Sequence, residues 1–253
     1  EPAVVQAHRG AGVLAPENTL EAFERAWSLG AVPEADLRTT RDGVIVTFHD
    51  DTFARVVRDA SPELKKKGVA DLTWDELARL DVGEGRRVTT LGPVLERMEG
   101  RPERRLYLDI KNVDLEKLAV EVRAHRVESR ILLASTKYDV IRAWKALAPA
   151  SGTLLWMGGS EADLGRRLAE LRGAAFADIT QLQVHVGLKP GSDLSKPDPF
   201  LLSDAFLRNL GRELRERGIL YQAFLWKVEK PGPEVYARLL ELGVQSLATD
   251  HPQ

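Results

Sequence analysis

The sequence predicts a (β/α)8 TIM barrel with a β-hairpin extension after its second strand. Strand-like apolar runs alternate with helical patterns along all 253 residues, and eight such units fit the usual size of this fold. The pair Asp42-Gly43 between two β-patterned runs predicts the hairpin. A doubly wound open sheet is the structural alternative, but the chain lacks its glycine-rich dinucleotide fingerprint. We expect a single barrel domain over residues 1–253.

The predicted elements follow from apolar periodicity and from capping signals. The strands are expected at Val4–Ala7, Glu34–Arg38, Leu106–Ile110, Ile131–Ala134, Thr153–Trp156, Ile179–Val184, Leu220–Trp226 and Ser246–Thr249, with Val44–Phe48 as the hairpin return. The helices are expected at Asn18–Leu29, Trp74–Leu80, Leu91–Met98, Leu115–His125, Val140–Leu147, Ala162–Leu171, Asp204–Arg217 and Pro233–Leu242. Asn18 or Thr19 is placed to cap the first helix.

Composition excludes several classes of protein. Hydrophobic residues make up 43% of the chain, which is enough for a substantial core. The absence of cysteine excludes disulfides, thiolate nucleophiles and zinc–thiolate sites. A net charge of −2 gives no electrostatic reason to expect nucleic acid or an anionic membrane as a partner. No apolar run approaches the roughly 20 residues of a transmembrane helix.

The compartment and the oligomeric state stay open at this point. The first five residues lack the basic start and the apolar centre of a signal peptide. We therefore expect a cytoplasmic location or, if an export signal has been removed, a periplasmic or secreted one. Nothing in the sequence indicates an oligomeric state.

The predicted hairpin brings polar residues to one face. If Asp42 and Gly43 form a two-residue turn, Asp36 pairs with His49, and Glu34 pairs with Asp51. Directly opposed residues share a face of a β-ribbon, so these side chains would lie on the same side.

Carboxylates at alternate strand positions suggest a metal site. Glu34 and Asp36 point the same way, and their like charges repel unless a cation neutralises them. Mg²⁺ and Ca²⁺ prefer such oxygen ligands. Asp109 and Lys111 interrupt an otherwise apolar strand near its carboxyl end, where barrels carry functional groups. A solvent-facing strand for the first pair and a structural salt bridge for the second are the alternatives.

Two histidines are predicted at the same end of the barrel. His8 closes the first strand, His49 closes the hairpin return, and Arg9 follows His8. One strand-end histidine is commonly structural, whereas two beside carboxylates and an arginine favour a functional site. His185 either reaches the mouth or belongs to the next loop. The chain has neither a P-loop nor a Gly-x-Ser-x-Gly elbow.

Taken in order along nearly the whole chain, these motifs resemble the glycerophosphodiester phosphodiesterase family. The matching segments are Ala7-His8-Arg9-Gly10, Ala15-Pro16-Glu17-Asn18-Thr19, Glu34-Ala35-Asp36, Thr40-Arg41-Asp42-Gly43, His49-Asp50-Asp51-Thr52, Leu72-Thr73, Thr90-Leu91, Leu108-Asp109-Ile110-Lys111, Trp226 and Thr249-Asp250-His251-Pro252. The chain departs from the family at Asp109, where Glu is common, and in the segment after Thr52.

The resemblance implies a barrel with one divalent cation, Mg²⁺ or Ca²⁺, and a residue set matched by position. The implied metal ligands are Glu34, Asp36 and Asp109, the acid–base pair is His8 and His49, and Arg9, Lys111 and Trp226 bind substrate, with Lys111 also taking part in catalysis.

The implied activity is metal-dependent hydrolysis of small glycerophosphodiesters to sn-glycerol 3-phosphate and an alcohol, through a cyclic phosphate. In this scheme His49 is the first base and His8 the acid. The leaving alcohol cannot be inferred. The alternatives are a lipid phosphodiesterase similar to phospholipase D or sphingomyelinase D, a non-catalytic barrel that binds phosphoesters, and a metal-dependent sugar isomerase.

Overall fold

A closed barrel of eight parallel strands forms the centre of the molecule, as predicted. A computed structural model describes residues 3–57, 60–83, 85–226, 228 and 230–253. The strands are β1 (Val4–Ala7), β2 (Val32–Thr39), β3 (Ile45–Thr47), β4 (Leu106–Asn112), β5 (Ile131–Ser135), β6 (Gly152–Met157), β7 (Gln181–Val186), β8 (Leu220–Leu225) and β9 (Ser246–Thr249). The ring closes because β1 pairs in parallel with both β2 and β9, and β3 is bonded outside the ring to β2.

Helices follow the strands and cover the barrel. They are α1 (Leu20–Ser28), α2 (Pro62–Lys65), α3 (Trp74–Leu77), α4 (Leu91–Glu96), α5 (Leu115–Ala124), α6 (Tyr138–Leu147), α7 (Glu161–Gly173), α8 (Asp204–Glu216) and α9 (Pro233–Glu241). Thr19, rather than Asn18, caps α1, because its hydroxyl accepts a hydrogen bond from the Ala22 amide. Along the described ranges, no helix combines the length and the apolar character that crossing a membrane requires.

The register predicted for the hairpin is wrong by one residue. The pairing of Asp36 with His49 requires a two-residue turn, but the Thr40 amide donates to the Val44 carbonyl and closes a three-residue loop. Gly43 supplies the left-handed backbone of that loop, with φ of +87°. Leu37 consequently pairs with Thr47, and the Phe48 amide donates to the Asp36 carbonyl.

Two consequences follow from the corrected register. His49 lies beyond the end of β3 and therefore reaches the barrel mouth from a loop. The predicted pairing of Glu34 with Asp51 is absent, since the Asp51 carboxylate is 92% exposed and accepts from Arg38 Nη2 at 2.6 Å.

The segment after Thr52 has a packing role. Phe53 is fully buried and meets Phe48 edge to face, with 5.4 Å between ring centroids. Together with Val46 and Val57 it belongs to a separate apolar cluster beside the hairpin. This cluster anchors the loop that carries His49. Pro33, expected to precede β2, instead lies within it and is paired with Ala7 of β1.

A polar network crosses the interior of the barrel. The buried Tyr107 hydroxyl donates to Gln181 Oε1 at 2.7 Å. Gln222 is also fully buried, accepts from Gln183 Nε2 at 2.6 Å and donates to Ser246 Oγ at 2.9 Å. These side chains come from β4, β7, β8 and β9, so the hydrogen bonds fix the relative heights of strands on opposite sides of the ring.

Two buried tyrosines provide a stability test of this network. Tyr107→Phe should lower the free energy of unfolding by about 1–3 kcal/mol, because it leaves buried glutamine groups short of a partner. Tyr221 is equally buried, but its hydroxyl has no hydrogen-bond partner within the described residues. Tyr221→Phe should therefore leave stability unchanged or raise it. Urea denaturation measures both changes, and equal losses would contradict the assigned role of the network.

Candidate active site

A cavity of about 340 Å³ opens at the carboxyl ends of the barrel strands. This is the end at which TIM-barrel enzymes carry their active sites. All but one of the predicted site residues line the cavity, namely His8, Arg9, Glu34, His49, Asp109, Lys111 and Trp226. The remaining one, Asp36, is fully buried directly beside the cavity lining.

Three carboxylates converge at one side of this cavity. Glu34 and Asp36 lie at alternate positions of β2, and Asp109 of β4 is paired in register with Asp36. One oxygen from each of the three lies within 4.8 Å of the others. Gln6 donates to Glu34, and Asn18 Nδ2 donates to Asp36 Oδ2 at 2.8 Å, which holds two of the carboxylates in place.

The electrostatics of this cluster suit a divalent cation. Burial raises the pKa of Glu34 to about 7; His8 opposes the rise, while the charges of Asp36 and Asp109 add to it. Burial likewise raises the pKa of Asp109. Asp36 Oδ1 is buried and accepts no hydrogen bond from any described residue. Repelling carboxylates with an unbonded oxygen form the kind of donor set that a hard cation neutralises.

Lys111 supplies the positive charge closest to the cluster. Its Nζ lies 2.6 Å from Asp109 Oδ2 and 3.3 Å from Asp36 Oδ1. Burial lowers the pKa of Lys111, but the Asp109 and Asp36 carboxylates outweigh that effect and raise it overall. The ammonium is therefore charged at neutral pH and faces the cavity.

His8 is paired with a carboxylate from the end of the chain. Its Nδ1 lies 2.7 Å from Asp250 Oδ1, which leaves Nε2 on the other edge of the ring. Burial lowers the pKa of His8, but the hydrogen bond to Asp250 and the charges of Glu34 and Asp36 raise it further than burial lowers it. This environment favours the imidazolium form.

His49 has a hydrogen-bond partner at each of its ring nitrogens. Arg9 Nη2 lies 3.1 Å from His49 Nε2, and a guanidinium can only donate. The tautomer that satisfies this contact has Nε2 as the acceptor and its proton on Nδ1. That proton is donated to Asp50 Oδ1 at 2.8 Å. The two histidines at this mouth therefore differ in their hydrogen-bond partners.

An aromatic wall forms the other side of the cavity. The ring of His185 stacks between Trp156 and Trp226, with centroid distances of 5.1 and 5.2 Å. Burial and the nearby His8 charge lower the pKa of His185 to about 4, so this ring is neutral. Phe224 packs against both His8 and His185. His185 therefore reaches the mouth, one of the two positions that its sequence context allowed.

Sequence reasoning assigned no part in the site to four residues that support it, namely Gln6, Asn18, Asp50 and Asp250. Asn18, Asp50 and Asp250 lie within the quoted motifs. The motifs therefore include these residues but do not indicate which side chains they contact. The Asn18 backbone has a φ of +56°. The Asn18 side chain donates a hydrogen bond to the Asp36 carboxylate and accepts one from the Asp36 amide. Its position in the Pro-Glu-Asn-Thr motif places it one residue before the helix cap, where it can reach β2.

Gly12 allows the two ends of the chain to meet at this site. Its φ is +57°, and a Cβ atom there would lie 2.1 Å from the Asp250 carbonyl oxygen. The next residue, Val13, donates its amide to that oxygen at 2.9 Å. The close approach places Asp250 within reach of His8.

Fold and site together define a TIM barrel whose mouth is built for an anionic ester. The model of the glycerophosphoryl diester phosphodiesterase family matches residues 8–253. The chain belongs to that family, which confirms the resemblance seen in its motifs.

Individual relatives agree with this assignment. The chain is 32% identical over 160 residues to the glycerophosphodiester phosphodiesterase of Caldanaerobacter subterraneus subsp. tengcongensis, a match covering 58% of this chain and 63% of that protein. A glycerophosphoryl diester phosphodiesterase from Parabacteroides distasonis superposes with a TM-score of 0.72 at 25% identity, covering 100% and 84% of the two chains. An Oleispira antarctica phosphodiesterase, solved with its product sn-glycerol-3-phosphate, shares the fold with a TM-score of 0.67 at 22% identity, covering 98% and 93%.

The Gly12 contact can be tested against a second glycine in a similar conformation. Gly30→Ala should cost about 1–2 kcal/mol from backbone strain alone, since φ is +73° and the space around it is open. Gly12→Ala should cost more, because its methyl group also collides with Asp250. Thermal unfolding measures both losses. Equal losses would mean that the close approach at Gly12 does not constrain the site.

Proposed function

We propose that this protein hydrolyses glycerophosphodiesters to sn-glycerol 3-phosphate and an alcohol. The observation that carries the proposal is the convergence in one cavity of His8, His49, Arg9 and Lys111 around three carboxylates. Family membership and the product bound to the Oleispira relative support the same reaction class.

A phosphodiester is anionic, so positive charge must be in place before a nucleophile attacks it. Arg9 and Lys111 provide fixed charge at the cavity. Glu34, Asp36 and Asp109 would hold one divalent cation, Mg²⁺ or Ca²⁺, which when bound supplies electrostatic stabilisation of the phosphoryl oxygens. Arg9 and Lys111 bind the remaining phosphate oxygens in this scheme.

The two histidines divide the first proton transfers. The glycerol 2-hydroxyl attacks phosphorus and gives its proton to His49 Nε2, the nitrogen that faces the Arg9 guanidinium. Contact of Arg9 with a phosphate oxygen frees this nitrogen for the task. As the bond from phosphorus to the leaving alcohol breaks, His8 donates a proton to that oxygen, while Asp250 stabilises the imidazolium beforehand.

The second step reverses these roles. The first step leaves a cyclic glycerol phosphate, a neutral His8 and a protonated His49. A water molecule attacks phosphorus and gives a proton to His8, while His49 returns a proton to the 2-oxygen as the ring opens. The products are glycerol 3-phosphate and both histidines in their starting states.

A cation-dependence assay tests the reaction and its requirement for a metal. Protein stripped with EDTA should not turn over glycerophosphocholine until Mg²⁺ or Ca²⁺ is added, and ³¹P NMR should then show glycerol 3-phosphate. Glu34→Gln should require a higher cation concentration, because it removes one ligand charge. Glu121→Gln is the matched control, since Glu121 is another carboxyl group whose pKa burial raises, but on the outer helix α5.

Each contrary outcome has a definite meaning. Full activity in EDTA would show that the metal assignment is wrong. A cyclic phosphate that persists would favour the lipid phosphodiesterase alternative, and ligand-induced thermal stabilisation without turnover would favour a binding protein.

The acid and base roles can be separated by changing the leaving group. His8→Ala should slow hydrolysis of glycerophosphocholine by about 10²–10⁴-fold but slow a p-nitrophenyl glycerophosphate far less, because nitrophenolate leaves without protonation. His49→Ala should slow the release of both alcohols. His125→Ala, at the end of α5, is the control and should leave both rates unchanged. Equal slowing of both substrates by His8→Ala would exclude it as the acid.

A further inference from the structure

His49 belongs to a closed ring of hydrogen-bonded side chains at the barrel mouth. The ring comprises His49, Asp50, Arg55, Glu17 and Arg9, which come from two loops at the barrel mouth. Neither Arg55 nor Glu17 lines the cavity that holds the carboxylate cluster. Their role therefore cannot be direct contact with a substrate in that cavity.

Arg55 makes a bidentate contact with each of two carboxylates, and single hydrogen bonds complete the ring. Arg55 Nε and Nη2 donate to the two oxygens of Asp50 at 2.7 and 2.8 Å. Arg55 Nη1 and Nη2 also donate to the two oxygens of Glu17 at 2.8 and 2.7 Å. Glu17 Oε2 accepts from Arg9 Nη1 at 3.2 Å. His49 completes the ring, because its Nε2 contacts Arg9 and its Nδ1 contacts Asp50.

The position of Arg55 between two carboxylates is what closes the ring. A guanidinium has five donors in a planar fork, so one Arg55 side chain can hold Asp50 and Glu17 together. The hydrogen bond to Arg55 keeps the pKa of Asp50 down at about 2, against the effect of partial burial. Each carboxylate then holds a second group, His49 on one side and Arg9 on the other.

Arg9 needs such external support. Its backbone has φ of +52°, a left-handed conformation that costs a residue other than glycine about 1–3 kcal/mol. Its side chain makes two contacts in the ring, one to Glu17 and one to His49. Loss of the Glu17 contact would leave its direction to be set by His49 alone.

We infer that Arg55 and Glu17 are positioning residues, which fix the ring orientation and tautomer of His49 and the direction of Arg9 from outside the reaction centre. The inference rests on the proposed function, because it assigns His49 and Arg9 to that reaction. The charges facing His49 are Arg9, Asp50 and Asp109, with Lys111 in the same cavity. Arg55 acts only through the first two.

An ordinary surface ion pair would not have this effect. The Arg55 side chain is 50% exposed, and isolated pairs at such exposure contribute little to stability. The chain contains a matched example on its outer helices, where Arg172 donates two hydrogen bonds to Glu213 at 2.8 and 2.7 Å with 47% exposure. Arg172→Gln is therefore the control for Arg55→Gln.

The kinetic test compares these two variants on glycerophosphocholine. Arg55→Gln should lower kcat by about 10- to 100-fold, the usual effect of losing an outer partner of a functional group, with a smaller change in KM. Arg172→Gln should match the wild type in both. Arg55→Lys keeps the charge but lacks the planar fork, so it should recover only part of kcat. Full recovery by lysine would mean that charge alone suffices, which overturns the positioning role.

A double-mutant cycle tests whether Arg55 and Glu17 act as one unit. Glu17→Gln and Arg55→Gln together should cost little more than the worse single substitution, because either one opens the ring. Fully additive losses in kcat would contradict the inference. Thermal unfolding of each variant confirms that the fold is retained.

Histidine ring ¹⁵N NMR supplies a measurement that does not depend on turnover. The wild type and Arg172→Gln should show His49 as a single neutral tautomer with the proton on Nδ1, whereas Arg55→Gln should show a mixture. If wild-type protein fails to cleave glycerophosphodiesters, the proposed function fails while the NMR still tests the ring. If the wild type is active and Arg55→Gln equals Arg172→Gln in kcat and in tautomer, the inference is wrong.

Discussion

The repulsion among Glu34, Asp36 and Asp109 is the constraint on which the rest of the site depends. Three carboxylates lie together with little access to water, and burial together with mutual charge opposes the ionisation of Glu34 and Asp109. Lys111 and His8 each offset part of this charge. Lys111 and His8 therefore lie in the negative electrostatic field of the three carboxylates. A bound cation and an anionic substrate would both change that field.

The fold places this unfavourable cluster where it can be useful. Parallel strands bring their carboxyl ends to one rim, and register pairing sets Asp36 beside Asp109. Elsewhere in the barrel, the hydrogen bonds of the buried Tyr107 and Gln222 side chains stabilise the interior.

The two histidines differ because their second partners differ. His8 is bonded to the Asp250 carboxylate and faces further negative charge, which favours its imidazolium form. His49 also has a carboxylate partner, Asp50, but a guanidinium occupies its other nitrogen and requires a lone pair there. The two histidines therefore differ in chemical character, and the residues responsible for the difference lie in loops rather than in strands.

The sequence by itself determined the barrel, the facing of Glu34 with Asp36, and the strand-end positions of His8, Asp109 and Lys111. These features follow from local periodicity, because alternate residues of a strand share a face and parallel strands end at one rim. Only the tertiary structure decided the hairpin register, since a three-residue and a two-residue loop are both compatible with Asp42-Gly43. It also decided the contact between His8 and Asp250, which are 242 positions apart and meet only because the barrel closes.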